Sequence, residues 1–365
     1  MTPRNAIAYG LLVMVPGSVL AERLHWGTGA VFGTSALAII PLAIWLSTAT
    51  EELGIRLGPS LGALLNAVFG NATELIIAVT ALKAGLVDIV KASITGTVMA
   101  DLLLALGLSM LAGGIGRREQ RFQPVVARVN GSAMTLAVLA ILLPSIGSLT
   151  AQSSGGSAEL AAAGRESFSL FVAWVLLAVY GLTLLFVLRT HRSLYAVGMA
   201  ESEELGHGGP PPLLPWVGVL VIATVVLAYE SELFVGVVET VTEGFGLSAL
   251  FTGVVLLPLL GGAAEFLTAV TMARKNKMDL SVSVALGSTL LVALLVVPVL
   301  VLVGPALGHP LDLSFNAYEL VAVITAVVVS NLVSLDGRSD WLEGVMLLAA
   351  YLILAAGFYF QAGSL

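Results

Sequence analysis

The chain has 365 residues, of which 58% are hydrophobic and only 11% are charged, and its mean hydropathy is +1.01. A soluble globular domain of this length does not carry such a composition, so most of the chain is expected to lie in lipid. The absence of cysteine excludes disulfides, thiol catalysis and thiolate metal sites, so any bound metal must meet oxygen or imidazole. The net charge of −7 argues against a nucleic-acid partner.

Apolar segments recur along the whole chain at the length that a membrane-spanning helix needs, roughly 20 residues. In chain order they cover 5–21, 29–50, 60–82, 88–114, 128–149, 166–189, 213–236, 248–273, 279–304, 315–334 and 341–362. The first could be a secretory signal, but a transmembrane helix is preferred because apolar segments continue to the C-terminal end. The pattern therefore predicts an all-α, multi-pass membrane protein of about eleven transmembrane helices.

The basic residues predict how this protein is oriented. With a cytoplasmic N-terminus, all of the 16 Lys and Arg residues fall in cytoplasmic segments except Arg23, Lys83, Lys91 and Arg165. Cytoplasmic loops of membrane proteins are the ones that collect positive charge. The sequence therefore predicts a cytoplasmic N-terminus and a C-terminus on the opposite side, in the plasma (inner) membrane if the source is a prokaryote.

Two stretches of the chain resemble each other, 70–107 and 261–298, and they align without a gap. The matched pairs include Gly70 with Gly261, Glu74 with Glu265, Asp88 with Asp279, and Gly96 with Gly287. The two stretches lie five predicted helices apart, and an odd number of helices inverts the second copy relative to the first. The predicted organisation is an N-terminal helix (1–24), a five-helix repeat (25–190), a hydrophilic cytoplasmic linker (191–212) and a second, inverted repeat (213–365).

Glu74 and Glu265 each interrupt an apolar segment, where an ionised side chain costs at least roughly 2.5–3.5 kcal/mol unless it is paired, hydrated or neutralised. One such residue could simply be a protonated glutamate that hydrogen-bonds a neighbouring helix. Two at equivalent positions of inverted repeats favour a shared ion site near the middle of the membrane. The four histidines fall in loops or at helix ends, so carboxylates must carry any transported protons.

Further candidate ligands for ions and protons lie near the two glutamates in sequence. They are Gly70, Asn71, Thr97 and Asp101 in the first repeat, and Gly261 and Ser288 in the second. Glycines beside the acids can free backbone carbonyls, and calcium prefers carboxylate and carbonyl oxygens. Simpler roles stay open, namely close helix packing for the glycines, a bond to the same helix for the hydroxyls and an interhelical bond for Asp101.

The motif GNATEL with a GT downstream, the second motif G-x-A-A-E with GS, and DGRSDWLEG before the last helix resemble the calcium/proton exchanger (CAX) family. That family belongs to the cation/calcium exchanger superfamily, and the likeness spans nearly the whole chain. The resemblance implies an eleven-helix fold in which Glu74 and Glu265 form the shared metal-binding site. It also implies that cytosolic calcium leaves in exchange for incoming protons.

The chain departs from the family pattern at four positions near this site. The family usually has Asn, His, Gln and Asn where this chain has Gly262, Phe266, Leu291 and Asp101. The second half-site is therefore poorer in side-chain ligands, which leaves the selectivity open. A sodium or potassium/proton antiporter of the same fold is the first alternative, and a cation channel is the second.

Three acids near helix ends, Glu51, Glu52 and Glu232, resemble an ion entrance in the family, although solvated helix-end acids are the ordinary case.

The chain has no HExxH motif, no GxSxG elbow and no P-loop, so an enzyme is not expected. The expected partners are the lipid bilayer, an inorganic cation and protons, with no further cofactor. Homo-oligomerisation stays open.

Overall fold

The computed structural model describes residues 3–153, 158–186, 189 and 211–361, and nearly all of them are helical. The first half contains α1 (Pro3–Leu11), α2 (Met14–Arg23), α3 (Thr28–Leu57), α4 (Pro59–Phe69), α5 (Ala72–Lys83), α6 (Val87–Met99), α7 (Leu106–Gly114), α8 (Pro124–Ser153) and α9 (Ala158–Leu185). The second contains α10 (Leu213–Gly244), α11 (Ala249–Phe251), α12 (Leu257–Gly261), α13 (Ala263–Arg274), α14 (Met278–Leu291), α15 (Val297–Val303), α16 (Ala317–Ser334) and α17 (Trp341–Gln361). Most of the predicted linker, 191–210, lies outside the described residues.

The helices are those of a multi-pass membrane protein, as predicted. Among the described residues, nine helices are long and apolar enough to cross a membrane, or ten if the bent pair Ala249–Gly261 and Ala263–Arg274 is one span. The predicted span 60–82 is not among them, because it consists of the two short helices α4 and α5. The count of eleven therefore stays a prediction, as do the four predicted domain boundaries.

Among the elements that the structure describes in full, helices change to π-helical geometry at Ala100–Ala105, Thr252–Leu256 and Val292–Val296. The first joins α6 to α7 and the third joins α14 to α15, so the two repeats carry π-helical turns at corresponding places. α13 also begins and ends at the positions that correspond to the ends of α5, under the alignment that pairs Glu74 with Glu265. These correspondences support a duplicated chain, while the inverted orientation stays a prediction.

The contact between α6 and the π-helical segment Thr252–Leu256 is a backbone contact made at Gly96. A Cβ atom on Gly96 would lie 2.1 Å from the carbonyl oxygen of Val254 and 2.7 Å from Pro258 Cγ, so only glycine fits there. At Gly287, the corresponding residue of the second repeat, a Cβ atom would meet no atom within 4 Å. The two repeats therefore have different surroundings at equivalent positions.

Among the described residues, an ionic cluster lies at each end of the membrane-spanning helices. At one end, β1 (Gln120–Arg121) pairs antiparallel with β2 (Arg338–Ser339), where Arg121 and Arg338 contact Glu119 at 2.8 and 3.4 Å. At the other end, Asp312, in the loop before α16, forms an ion pair with Lys91 and accepts a hydrogen bond from Ser314 Oγ. Burial raises the pKa of Asp312, but these hydrogen bonds and the Lys91 charge outweigh burial and hold it below its usual range.

Candidate ion-binding site

Glu74 and Glu265 lie at the same place in two interrupted helices. The helix path breaks at Asn71, whose φ of −117° and ψ of 35° are not helical, and resumes as α5. In the second repeat it breaks at Gly262, where the bend between the flanking helices is 60°. Each glutamate is the third residue of the helix after the break, so it lies at a helix N-terminus, which favours negative charge.

The Glu74 side chain extends across to the break in the other repeat. A Cβ atom on Gly261 would lie 3.2 Å from Glu74 Cγ and 3.4 Å from its Oε1, so the absence of a side chain on Gly261 makes room for the carboxyl. Glu74 is 9% exposed, and neither carboxyl oxygen has a hydrogen-bond partner from another side chain. A buried, unpartnered carboxyl is costly and indicates a ligand or a proton in the working protein.

Glu265 is half-buried, and its Oε2 is a buried atom without a hydrogen-bond partner. Glu74 and Asp101 are both close enough to act on Glu265 electrostatically. Three carboxyl groups from two repeats therefore share one region of the membrane interior. Among the described residues, however, no three His, Cys, Asp or Glu side chains form a group that could hold a metal ion. A cation held by the two glutamates needs further oxygen from amide, hydroxyl, backbone or water.

Asn71 and Asp101 tie the first repeat to one turn of α14. Asn71 Nδ2 donates a hydrogen bond to Ser288 Oγ at 2.8 Å, and Thr289 Oγ1 donates one to Asp101 Oδ2 at 3.3 Å. All four side chains are buried, with Asp101 only 1% exposed. The candidate ligands Asn71, Asp101 and Ser288 are therefore brought together with the glutamates. Thr289 was not singled out from the sequence, and its only signal there was its position beside Ser288.

Two of the sequence candidates, Thr97 and Gly70, make their nearest contacts with groups other than the two glutamates. Thr97 Oγ1 donates to the Ser93 carbonyl oxygen of its own helix at 2.9 Å, which is the simpler role left open for it. A Cβ atom on Gly70 would lie 2.5 Å from the Asn66 carbonyl oxygen and 3.0 Å from Leu291 Cδ1. Gly70 therefore allows Leu291 to pack against the first break, so an apolar side chain covers the place where the family usually has glutamine.

A second departure from the family pattern is also explained by packing. A Cβ atom on Gly262 would lie 2.8 Å from Phe266 Cζ, so the phenyl ring folds back over the glycine. A small residue at 262 and a large one at 266 therefore fill one space together. The usual Asn and His would supply polar atoms there, whereas this chain supplies an apolar surface beside Glu265.

The candidate entrance acids are found at two different places, and two of them are paired. Glu51 Oε1 accepts a hydrogen bond from Arg4 at 3.0 Å, and Glu232 Oε1 accepts one from Lys83 at 3.0 Å. Glu52 is half-buried near the same end of α3 as Glu51. Their role as an entrance stays a prediction.

Sequence reasoning missed two features of the structure. Arg4, used above only as a topology signal, is 13% exposed and contacts both α3 and α13. Glu230, two residues before the entrance candidate Glu232, is fully buried within α10 and accepts a hydrogen bond from Ser18 Oγ at 2.7 Å. Both depend on how α1 and α2 pack against the repeats, which the sequence does not specify.

Comparisons with known proteins agree with this architecture. The family model described as sodium/calcium exchanger protein matches residues 27–189 and again 215–360. The Ca(2+)/H(+) antiporter of Aphanothece halophytica is 50% identical over 372 residues, which covers 99% of this chain and 98% of that protein. The Ca(2+)/H(+) antiporter of Synechocystis sp. is 49% identical over 374 residues and covers 99% of both.

The solved structure of native YfkE has a TM-score of 0.82 and 37% sequence identity, and it covers 97% of this chain and 99% of that chain. Both matched segments of the family model exclude α1 and α2, the helices that precede the predicted repeats. Similarity at this level over nearly the full length of both chains establishes relationship as well as fold. The chain belongs to the sodium/calcium exchanger protein family, and its resemblance to the calcium/proton exchangers is confirmed.

Proposed function

We propose that the protein is a secondary active antiporter that exchanges calcium for protons across the membrane. The observation that carries the proposal is the pair Glu74 and Glu265, each in the first turn of a helix that resumes inside the membrane, with buried carboxyl oxygens that lack partners. Calcium prefers oxygen ligands, and Asn71 and Ser288 add an amide and a hydroxyl beside the pair. The two relatives described above are named as Ca(2+)/H(+) antiporters, which supports this choice of ions.

Cation and protons compete for the same two carboxyl groups in this proposal. An ionised carboxylate without a partner is unstable in lipid, whereas a bound dication stabilises it. Protons that enter from one side therefore displace the cation, and a cation that binds from the other side releases protons. This competition couples the two fluxes without requiring a histidine in the membrane.

The different surroundings of Gly96 and Gly287 support a mechanism of alternating access. With the N-terminus in the cytoplasm, Gly96 lies on the outer side of the site, where α6 is in backbone contact with the segment after α11. Gly287 lies on the cytoplasmic side, where the space beside it is open. We therefore assign the described conformation to a state that is closed to the outside and open to the cytoplasm, in the plasma (inner) membrane if the source is a prokaryote.

Sodium or potassium exchange for protons is the second candidate, favoured by the apolar Leu291 and Phe266 at positions that are polar in the family. Purified protein reconstituted into liposomes distinguishes the candidates when calcium, sodium, potassium and manganese are offered in turn under an imposed pH gradient. Calcium uptake that follows the gradient and collapses when it is dissipated supports the proposal. Flux of an ion that is not coupled to protons would indicate a channel instead.

A further inference from the structure

Arg4 lies at the meeting point of three helices near the site. Its Nη1 donates to Glu51 Oε1 at 3.0 Å and to Thr268 Oγ1 at 3.2 Å, and its Nη2 donates to Thr48 Oγ1 at 2.7 Å. Glu51 and Thr48 belong to α3, whereas Thr268 belongs to α13. Arg4 belongs to the N-terminal helix, which precedes both predicted repeats, and it therefore hydrogen-bonds to one helix of each repeat.

The contact with α13 places this charge close to the ion site. Thr268 follows Glu265 by three residues, so the two side chains lie on the same face of α13, one turn apart. Arg4 is among the charged groups that act electrostatically on Glu265. Its side chain is only 13% exposed, so water screens this charge less than it screens a surface arginine.

We infer that Arg4 is a positioning residue of the cation site: its guanidinium, held beside α13 by Thr268 and balanced by Glu51, sets how tightly Glu265 holds a cation. The inference rests on the proposed function, because it gives Glu265 a cation to hold. A fixed positive charge held one helical turn from Glu265 repels a cation bound there, and it repels a dication more strongly than a monovalent ion. Arg4 therefore weakens the hold of the site on calcium, which helps a bound calcium ion to leave.

Glu51 acquires a defined role in this arrangement, because its carboxylate offsets part of the Arg4 charge. Removing Arg4 and removing Glu51 should then have opposite effects on the affinity for a cation. A purely structural ion pair behaves differently, since breaking it from either side disturbs the same contact and shifts the affinity in the same direction. The sign of the two effects thus separates electrostatic control from structural support.

The test is calorimetric titration of the purified full-length protein with calcium at one neutral pH. Arg4→Gln should tighten calcium binding by roughly threefold to tenfold, and Glu51→Gln should weaken it by a similar factor. Arg4→Lys keeps the charge and should restore affinity close to the wild-type value. Arg23→Gln removes the same charge from the exposed outer end of the N-terminal helix and should leave the affinity unchanged.

Shifts of the same sign in Arg4→Gln and Glu51→Gln, or no shift in either, would overturn the inference while leaving the proposed function intact. Wild-type protein that binds no calcium would overturn the proposed function, and the inference with it. Should Arg4→Gln fail to fold, Thr268→Val takes its place, because loss of the hydroxyl frees the Arg4 guanidinium from α13 without changing any charge. Tighter calcium binding by Thr268→Val supports the role of Arg4, and unchanged or weaker binding contradicts it.

Discussion

Asn71 of the first repeat donates a hydrogen bond to Ser288 of the second repeat at 2.8 Å, and both side chains are buried beside the glutamates. The bond joins the break before α5 to the last turn of α14. Each repeat thus supplies polar groups to a site whose other half comes from the partner repeat. The predictions below test this shared site, its packing and its orientation.

Glu74→Gln and Glu265→Gln should each reduce proton-driven calcium uptake in liposomes to the level of liposomes without protein. Glutamine keeps the size of the side chain but cannot ionise, so neither the dication nor the exchanged protons can be held. The matched control is Glu239→Gln, an exposed acid on α10, which should transport normally. Wild-type exchange by either site variant would show that the two glutamates are not the ion site.

Asp101→Asn should leave calcium exchange within about threefold of the wild-type rate and alter the preference among cations. An asparagine oxygen can still accept the hydrogen bond that Thr289 donates, so the turn of α14 keeps its contact. The loss of one negative charge weakens the attraction for any cation at the neighbouring glutamates. Parallel flux assays with calcium, manganese and sodium measure both effects. Abolished transport would place Asp101 with the two glutamates as an essential group.

Gly96→Ala should destabilise the protein by about 1–3 kcal/mol, because its Cβ atom would lie 2.1 Å from the Val254 carbonyl oxygen and force α6 away. Gly287→Ala is the matched variant, since its Cβ atom meets nothing within 4 Å and should leave the stability nearly unchanged. Thermal unfolding in detergent compares the two. Equal losses of stability would contradict the different surroundings of the two glycines.

The ion pair of Asp312 with Lys91 should stabilise the protein at pH values above the ordinary pKa of an aspartate, which is about 3.9. Because the folded-state pKa of Asp312 is lowered, this contribution is fully present above that value and is lost as the pH falls through the lower, folded-state pKa. Asp312→Asn should lower stability at neutral pH by about 1–3 kcal/mol and weaken the acid dependence. Glu243→Gln, at the same end of the molecule but exposed, should do neither.

The orientation can be read with single cysteines, since the chain contains none. Cysteine at Arg118 or Lys275 should react with an impermeant maleimide only in inverted vesicles. Cysteine at Trp26 or Phe245, which are 57% and 76% exposed, should react in intact cells. The reverse labelling pattern would place the N-terminus outside the cytoplasm.

The sequence was sufficient for the membrane class and the family, because apolar length and short motifs are local signals. It also singled out the two glutamates, whose role as the ion site stays a prediction. The Asn71–Ser288 hydrogen bond could not be predicted from the sequence, since it depends on how two helices far apart in the chain approach each other. Thr97 and Ser288 occupy equivalent positions in sequence, yet one bonds to its own helix and the other across the repeats. The difference arises because Asn71 is available to one hydroxyl, whereas its counterpart Gly262 has no side chain to offer.

The packing of Phe266 against Gly262 likewise could not be predicted from either residue alone. Each residue taken alone departs from the family pattern, and only the structure shows that the ring lies over the glycine. Arg4 contributed to the sequence reasoning only as a count toward charge asymmetry. Its contacts with Glu51 and Thr268 require α1 to pack against both α3 and α13.

The open space at Gly287 has a practical consequence for work on this protein. If the two repeats exchange arrangements during transport, the backbone contact now made at Gly96 must be made at Gly287 in the opposite state. A bulky side chain at position 287 would then be accommodated in the described conformation but would sterically block the opposite state. Gly287→Leu would accordingly provide a conformationally homogeneous sample, suited to crystallisation or to the selection of conformation-specific antibodies.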